Sequence, residues 1–122
     1  MSNFAQRSNW QKINSDADRR FLFREFPLIC PISQTEIVIA GGYINNDKLS
    51  DIQIFDTATR RISTALSNSQ VKLTCLGPAV VAEEGAIVAL AMGEIWPMMV
   101  RYDYQSNQLR NFRTIQFEYE GI

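Results

Sequence analysis

Two stretches of the chain, about 50 residues apart, share the same order of features. Residues 27–43, PLICPISQTEIVIAGGY, and residues 78–94, PAVVAEEGAIVALAMGE, each run from a proline through an apolar stretch and a short polar turn to a second apolar stretch that ends in small residues. Residues 54–64, IFDTATRRIST, and residues 101–111, RYDYQSNQLRN, then repeat an aromatic residue followed by Asp. Self-similarity at a fixed period indicates a repeat architecture whose neighbouring units bury one another.

The apolar pattern of each repeat predicts four short strands. EIVIA and AIVAL are short continuous runs rich in Val and Ile, which is typical of strands covered on both faces. The connections between the runs are hairpin-sized, and their Asp and Thr residues favour turns. We therefore predict an all-β fold of four-stranded antiparallel sheets. The expected strands are 26–32, 36–41, 51–56 and 60–65 in the first repeat and 78–83, 86–92, 98–104 and 108–113 in the second.

The chain of 122 residues is long enough for one ordinary domain with a core. The repeats divide it into a first unit, 26–66, and a second unit, 71–115, between an N-terminal segment, 1–25, and a C-terminal stretch, 116–122. Within the N-terminal segment, NWQKI at 9–13 has the spacing of the strand that closes each unit. We expect it to be the outer strand of a preceding unit, and 116–122 to be a tail or the start of a next one.

The first unit resembles a kelch repeat, which is one blade of a kelch-type β-propeller. It carries an apolar strand that ends at Gly41-Gly42, a loop, and the aromatic-Asp pair Phe55-Asp56. Ile62 stands in the position where the family has tryptophan. The resemblance implies that the glycine pair turns the chain out of the sheet beside an adjoining blade, where glycine permits positive φ and close approach.

The second unit departs further from the kelch pattern. Tyr102-Asp103 occupies the aromatic-Asp position, but Gly93 alone replaces the double glycine and Leu109 stands in the tryptophan slot. Trp10, in the N-terminal segment, is a tryptophan in its proper slot. A WD40 repeat would need Gly-His and Trp-Asp signatures at a shorter period, and the chain contains no histidine.

Two blades are fewer than a closed propeller contains. The resemblance therefore implies an incomplete propeller whose strongly apolar outer faces need a cover. Further blades, copies of this chain or a protein partner could each provide it.

The resemblance implies a non-enzymatic protein-interaction or scaffold module. Kelch propellers present loops to protein partners, with roles that include ubiquitin-ligase substrate receptors and cytoskeletal binding. The alternative is a fragment of a catalytic kelch-like propeller, such as the copper oxidase or the sialic-acid epimerase of that kind. The oxidase-type metal site requires histidine ligands, and a Ser-His or Cys-His nucleophile pair also requires histidine. We therefore expect no catalytic, cofactor-binding or metal-binding residues.

One loop differs strongly between the units. GEIWPMMV, residues 93–100, takes the place of the polar GYINNDKLSD, residues 42–51. Because Trp and Met are favoured at contact surfaces, Trp96, Met98 and Met99 are the candidate partner contacts. The alternative for Trp96 is packing against the adjacent blade.

Other chemistry-bearing residues favour structural roles. The Gly41-Gly42 turn lacks the Lys and the following helix of a phosphate-binding loop. Asp56 and Asp103 recur at one position of the repeat, which favours the capping of a turn over catalysis.

Charge and cysteine content restrict the partners and the compartment. A net charge of −1 argues against binding nucleic acid through its phosphates. Nothing at the N-terminus resembles a signal peptide, and the longest apolar run is too short to span a membrane, so we expect a cytoplasmic protein without a membrane partner. Cys30 and Cys75 are too few for a disulfide framework and are expected to be buried, inert thiols.

Overall fold

The computed structural model describes residues 24–83 and 85–114. Over this part the chain is all-β, with antiparallel sheets and no helix, as the apolar pattern predicts. Within the same residues, no helix has the length and apolar character needed to cross a membrane. The predicted outer strand at 9–13, Trp10 and the stretch 116–122 lie outside the described residues.

Ten strands follow one another in the described part of the chain. They are β1 (Leu28–Pro31), β2 (Glu36–Ala40), β3 (Tyr43–Ile44), β4 (Asp47–Lys48), β5 (Ile52–Asp56), β6 (Arg61–Leu66), β7 (Thr74–Glu83), β8 (Ala86–Met92), β9 (Pro97–Asp103) and β10 (Gln108–Thr114). The first sheet has the order β1-β2-β5-β6 and the second the order β7-β8-β9-β10, so each is a four-stranded antiparallel meander. A strand forms at each of the eight predicted positions.

Strand β7 begins earlier than the sequence predicts. We expected it to start at Pro78, and it starts at Thr74, which pairs with Met92. The pairing is irregular between Cys75 and Ala79, where the register shifts. The bulge accommodates Pro78 in the strand, because β7 lies at the edge of the second sheet and a proline there removes no central ladder bond.

The small hairpin of β3 and β4 replaces what the sequence pattern predicts as a plain loop. Its turn residues Asn45 and Asn46 both have positive φ, +51° and +69°. Two positive φ values give a primed turn, whose twist matches that of the flanking strands. Asn tolerates this conformation better than most residues with a side chain.

The strand pairing places corresponding residues of the two units in the same cross-strand row. One row of three apolar residues crosses β2, β5 and β6 of the first sheet, and its counterpart crosses β8, β9 and β10 of the second. These rows are Ile37, Phe55 and Ile62 in the first sheet and Ile87, Tyr102 and Leu109 in the second. Their agreement with the sequence repeat shows that the two sheets are equivalent structural units.

The apolar core lies between the two sheets. Buried residues of alternate strand positions contribute to it from both sides. From the first sheet these are Leu28, Cys30, Val38, Ala40 and Ile52, and from the second Ile87, Ala89, Ala91, Met98, Val100 and Tyr102. The side of the first sheet that faces the core is called the forward face, and the side of the second sheet that faces the core is called the back face. Each sheet has both faces. The back face of the first sheet and the forward face of the second therefore point away from the core.

Candidate interaction surface

The glycine pair joins the first unit to the segment that leads into the second. Gly41 and Gly42 have φ values of +66° and +98°. The amide of Gly42 donates a hydrogen bond to the carbonyl of Leu73 at 2.8 Å, and Leu73 is buried in the core. A Cβ atom on Gly41 would lie 2.2 Å from the Leu73 carbonyl oxygen. The absence of a side chain at this turn is therefore what lets the connecting segment pack against β2.

A buried ion pair holds the same turn from the other side. Arg24 donates to both carboxylate oxygens of Asp51, at 2.9 and 2.8 Å, and to the carbonyl of Gly41 at 3.0 Å. Gln53 also donates to Asp51, at 2.9 Å. Such a bidentate pair fixes the relative orientation of the two side chains, because the guanidinium group and the carboxylate are both planar. The sequence pattern did not reveal this pair, since 27 residues separate its members.

A groove of about 540 Å³ opens between the segment that connects the sheets, 67–73, and the β8–β9 loop, 93–96. Its lining mixes polar and apolar side chains. The lining residues are Ser50, Asn68, Gln70, Val71, Lys72, Gly93, Glu94 and Met98. Lys72 and Glu94 carry opposite charges 3.9 Å apart, and both side chains are exposed. The groove therefore offers a cation, an anion, amide groups and apolar contacts to a ligand.

Hydrogen bonds within the protein hold one wall of this groove. The amide of Ser69 donates to the carbonyl of Ser50 at 2.7 Å. The side-chain oxygen of Asn68 accepts from the Ser50 hydroxyl at 2.9 Å and from the Gln70 amide at 2.8 Å. On the other wall, the ammonium of Lys48 donates to the carbonyl of Gly93. These hydrogen bonds fix both walls of the groove.

Two exposed apolar side chains stand beside the groove. Ile95 is 76% exposed and Trp96 is 44% exposed. Their loop is closed by a hydrogen bond from the Gly93 amide to the Trp96 carbonyl at 3.0 Å. Ile95 was not among the predicted contacts, although its place next to Trp96 in a loop is the signal that could have identified it. We call Ile95 and Trp96 the apolar rim.

The structure separates the three predicted partner contacts. Trp96 is 44% exposed on the apolar rim. Met99 is half-buried on the forward face of the second sheet. Met98 is largely buried in the inter-sheet core, because its side chain points to the opposite face from Met99, and it also contributes to the lining of the groove.

The two repeated aspartates differ in their hydrogen bonds. Asp56 caps its turn by accepting from the amides of Ala58 and Thr59, at 2.8 and 3.1 Å. Asp103 instead pairs with Arg101 at 2.8 Å and with Arg110 at 3.0 Å. The expectation that both aspartates cap a turn therefore fails for Asp103, whose carboxylate pairs with Arg101 of its own strand β9 and with Arg110 of the neighbouring strand β10.

These ion pairs extend across the second sheet. Arg101 also binds Glu83, so two cations and two anions form one network. The hydrogen bond from Arg101, followed by that from Arg110, keeps the pKa of Asp103 below its ordinary value. The charges of this network are matched within the protein.

The two cysteines occupy different environments. Cys30 is buried in the core, as predicted, and burial raises the pKa of its thiol. Cys75 is exposed, contrary to the prediction, because it lies on edge strand β7 where the register shifts. Both cysteines are free. Within residues 24–83 and 85–114, no group of three His, Cys, Asp or Glu side chains comes together that could hold a metal ion.

The sequence matches no protein-family model. A comparison with curated proteins also finds no match. The resemblance to kelch repeats therefore depends on the residues and on the strand pattern themselves.

Proposed function

We propose that this chain is a non-enzymatic protein-interaction module, built of two kelch-like propeller blades, that binds a partner through the apolar rim and the adjoining groove. The observation that carries the proposal is the exposure of Ile95 and Trp96 beside a groove that internal hydrogen bonds already hold open. Two free cysteines agree with a reducing compartment, and we propose a cytoplasmic location.

The way in which the sheets pack supports the assignment of blades. Ile37 and Ile87 are equivalent positions, as are Val38 and Val88, because each pair lies at the same distance from its β-hairpin. Val38 and Ile87 are buried in the core, whereas Val88 and Ile37 are only half-buried on the outer faces. The forward face of one unit thus covers the back face of the next. Successive propeller blades pack in this head-to-tail manner, and a two-fold symmetric sandwich of the same units would not.

The chemistry of the rim and groove suits a protein partner. Exposed tryptophan is among the side chains that contribute most to binding at protein interfaces. Around it, Lys72, Glu94 and Gln70 supply the polar groups that usually surround such an anchor. We therefore propose that Trp96 and Ile95 contact apolar side chains of the partner, while an extended segment of the partner lies in the groove.

Affinity capture from a lysate of the cells that express the chain tests this function. Trp96→Ala is compared with wild type and with Leu76→Ala, which removes a side chain on strand β7 that is 46% exposed and does not line the groove. If Trp96 is a binding anchor, its loss weakens binding by about 2 kcal/mol, which is about 30-fold. We expect proteins retained by wild type to be retained by Leu76→Ala and lost by Trp96→Ala. The same retained proteins for all three forms would contradict the proposal.

A further inference from the structure

The packing of the two units inside the chain defines a heterologous interface, one that joins two different surfaces. The forward face of the first unit meets the back face of the second. Among the described residues, this arrangement leaves two faces without such a cover, namely the back face of the first unit and the forward face of the second. Each corresponds in position to a face that is buried within the chain.

The apolar part of the forward face of the second unit is exposed, whereas the corresponding part of the forward face of the first unit is buried in the core. Val80 occupies the position of Cys30, since each pairs with the equivalent residue of the neighbouring strand. Cys30 is 2% exposed and Val80 is 54% exposed. Val88, Leu90 and Met99 continue the same face and are only half-buried.

The back face of the first unit carries the complementary side chains. Its row of Ile37, Phe55 and Ile62 is partly exposed, whereas Ile87 and Tyr102, in the corresponding row of the second unit, are buried against the first unit. Ile29, which continues this face on β1, is 52% exposed. Ile39 also lies on this face but is already buried. The exposed part of the face therefore consists of Ile29 and the row of Ile37, Phe55 and Ile62.

We propose that these two faces bind each other between copies of this chain, so that the protein assembles head-to-tail into a closed ring. The back face of a second copy presents an Ile-Phe-Ile row to Val80, Val88, Leu90 and Met99, as the Ile-Tyr-Leu row of the second unit faces the first unit within one chain. A heterologous contact closes into a ring when its rotation divides a full turn, as the rotation between successive propeller blades does.

The charges of the forward face are paired within the chain. Arg101 and Arg110 lie there, and Glu83 and Asp103 already pair with them. Covering matched ion pairs leaves no charge without a partner, which is the case that costs most. The number of blades in propellers implies a ring of about two to four copies of this two-blade chain.

The mass of the purified 122-residue chain in solution, measured by light scattering and native mass spectrometry, is the first test. We expect one species whose mass is about two to four times the 13.9 kDa of a single chain. A single chain at tens of micromolar would overturn the proposal and leave the open faces to further blades or to a different protein.

Two single substitutions then distinguish a heterologous ring from other oligomers. Val80→Glu damages the forward face and Ile29→Glu the back face, and both side chains are exposed, so the fold tolerates the change. Each variant alone is expected to be a single chain. In an equal mixture, the Val80→Glu chain keeps an intact back face and the Ile29→Glu chain keeps an intact forward face. The two chains can therefore bind through one interface and form a 1:1 dimer. An oligomer of either variant alone, or no dimer in the mixture, would contradict the proposal.

Ile95→Glu provides the matched control, because it places the same charge on an exposed apolar residue outside both faces. It is expected to keep the wild-type mass. Trp96→Ala is expected to keep that mass too, so that loss of the ring and loss of the proposed partner binding are separate results. Variants whose circular dichroism spectrum differs from wild type are replaced by Val80→Ser and Ile29→Ser, for which the same masses are expected.

Discussion

Gly41 is the residue whose identity the fold restricts most tightly. Its φ of +66° disfavours any side chain, and a Cβ atom would collide with the main chain of Leu73. We expect Gly41→Ala to lower the free energy of unfolding by about 2 kcal/mol or more, from backbone strain and the displaced connecting segment. Urea unfolding of the two proteins measures the difference.

Gly77→Ala is the control for that substitution. Gly77 has no positive φ, and a Cβ atom there would reach only the Leu90 side chain, at 3.4 Å. We expect it to change the free energy of unfolding much less than Gly41→Ala. Equal effects of the two substitutions would show that the turn does not depend on glycine at position 41.

The contrast between Asp56 and Asp103 shows what residue identity alone predicts. Asp followed by turn residues predicted the cap at Asp56, because its carboxylate bonds amides two and three residues on. The same reasoning failed at Asp103, since its carboxylate pairs instead with Arg101, two residues before it on β9, and with Arg110 of β10. The contact with Arg110 depends on the register between β9 and β10, which sequence similarity to the first unit does not convey.

At the scale of elements, Arg24 and Asp51 join three parts of the first unit. Arg24 precedes β1, Asp51 precedes β5, and the Gly41 carbonyl that Arg24 also binds follows β2. We expect Arg24→Met to lower the free energy of unfolding by about 3–5 kcal/mol, because it removes the bidentate guanidinium from the buried Asp51 carboxylate. Thermal and urea unfolding measure this loss.

The double variant Arg24→Met/Asp51→Leu tests the reason for the loss. Replacing both charges with apolar groups removes the buried carboxylate that has lost the Arg24 guanidinium, so the double variant is expected to be more stable than Arg24→Met alone. A double variant that is less stable than either single variant by the sum of their effects would mean that the two side chains act independently.

The positions of the long strands could be predicted because apolar runs and turn residues alternate in both units. The β3–β4 hairpin could not, since strands of two residues carry no periodic signal, and only Asn45-Asn46 indicated a tight turn. The ion pair between Arg24 and Asp51 was also beyond reach, because no local pattern relates residues that meet only through the tertiary fold. The Trp96 loop stood out by its composition, whereas the groove beside it depends on how two units pack.

At the scale of the whole molecule, the repeat explains both the core and the open faces. A strand that is apolar on both sides, such as β2 or β8, can be covered on one side by the other unit. Apolar burial contributes roughly 25 cal/mol per Å², so an uncovered second side favours association. The head-to-tail order of the units is therefore the central claim, since the blade assignment and the proposed ring both depend on it.

Threonine substitutions at two neighbouring pairs of equivalent positions test that order most directly. The free energy of unfolding is measured in the Ile29→Glu background, so that contacts between copies do not contribute. A hydroxyl placed in the core costs about 1–3 kcal/mol more than one at a half-exposed position. Head-to-tail packing predicts that Val38→Thr costs more than Val88→Thr, whereas Ile87→Thr costs more than Ile37→Thr. The account would be contradicted if the larger loss of stability fell in the same unit for both pairs. It would also be contradicted if the two substitutions of each pair lowered the free energy of unfolding equally.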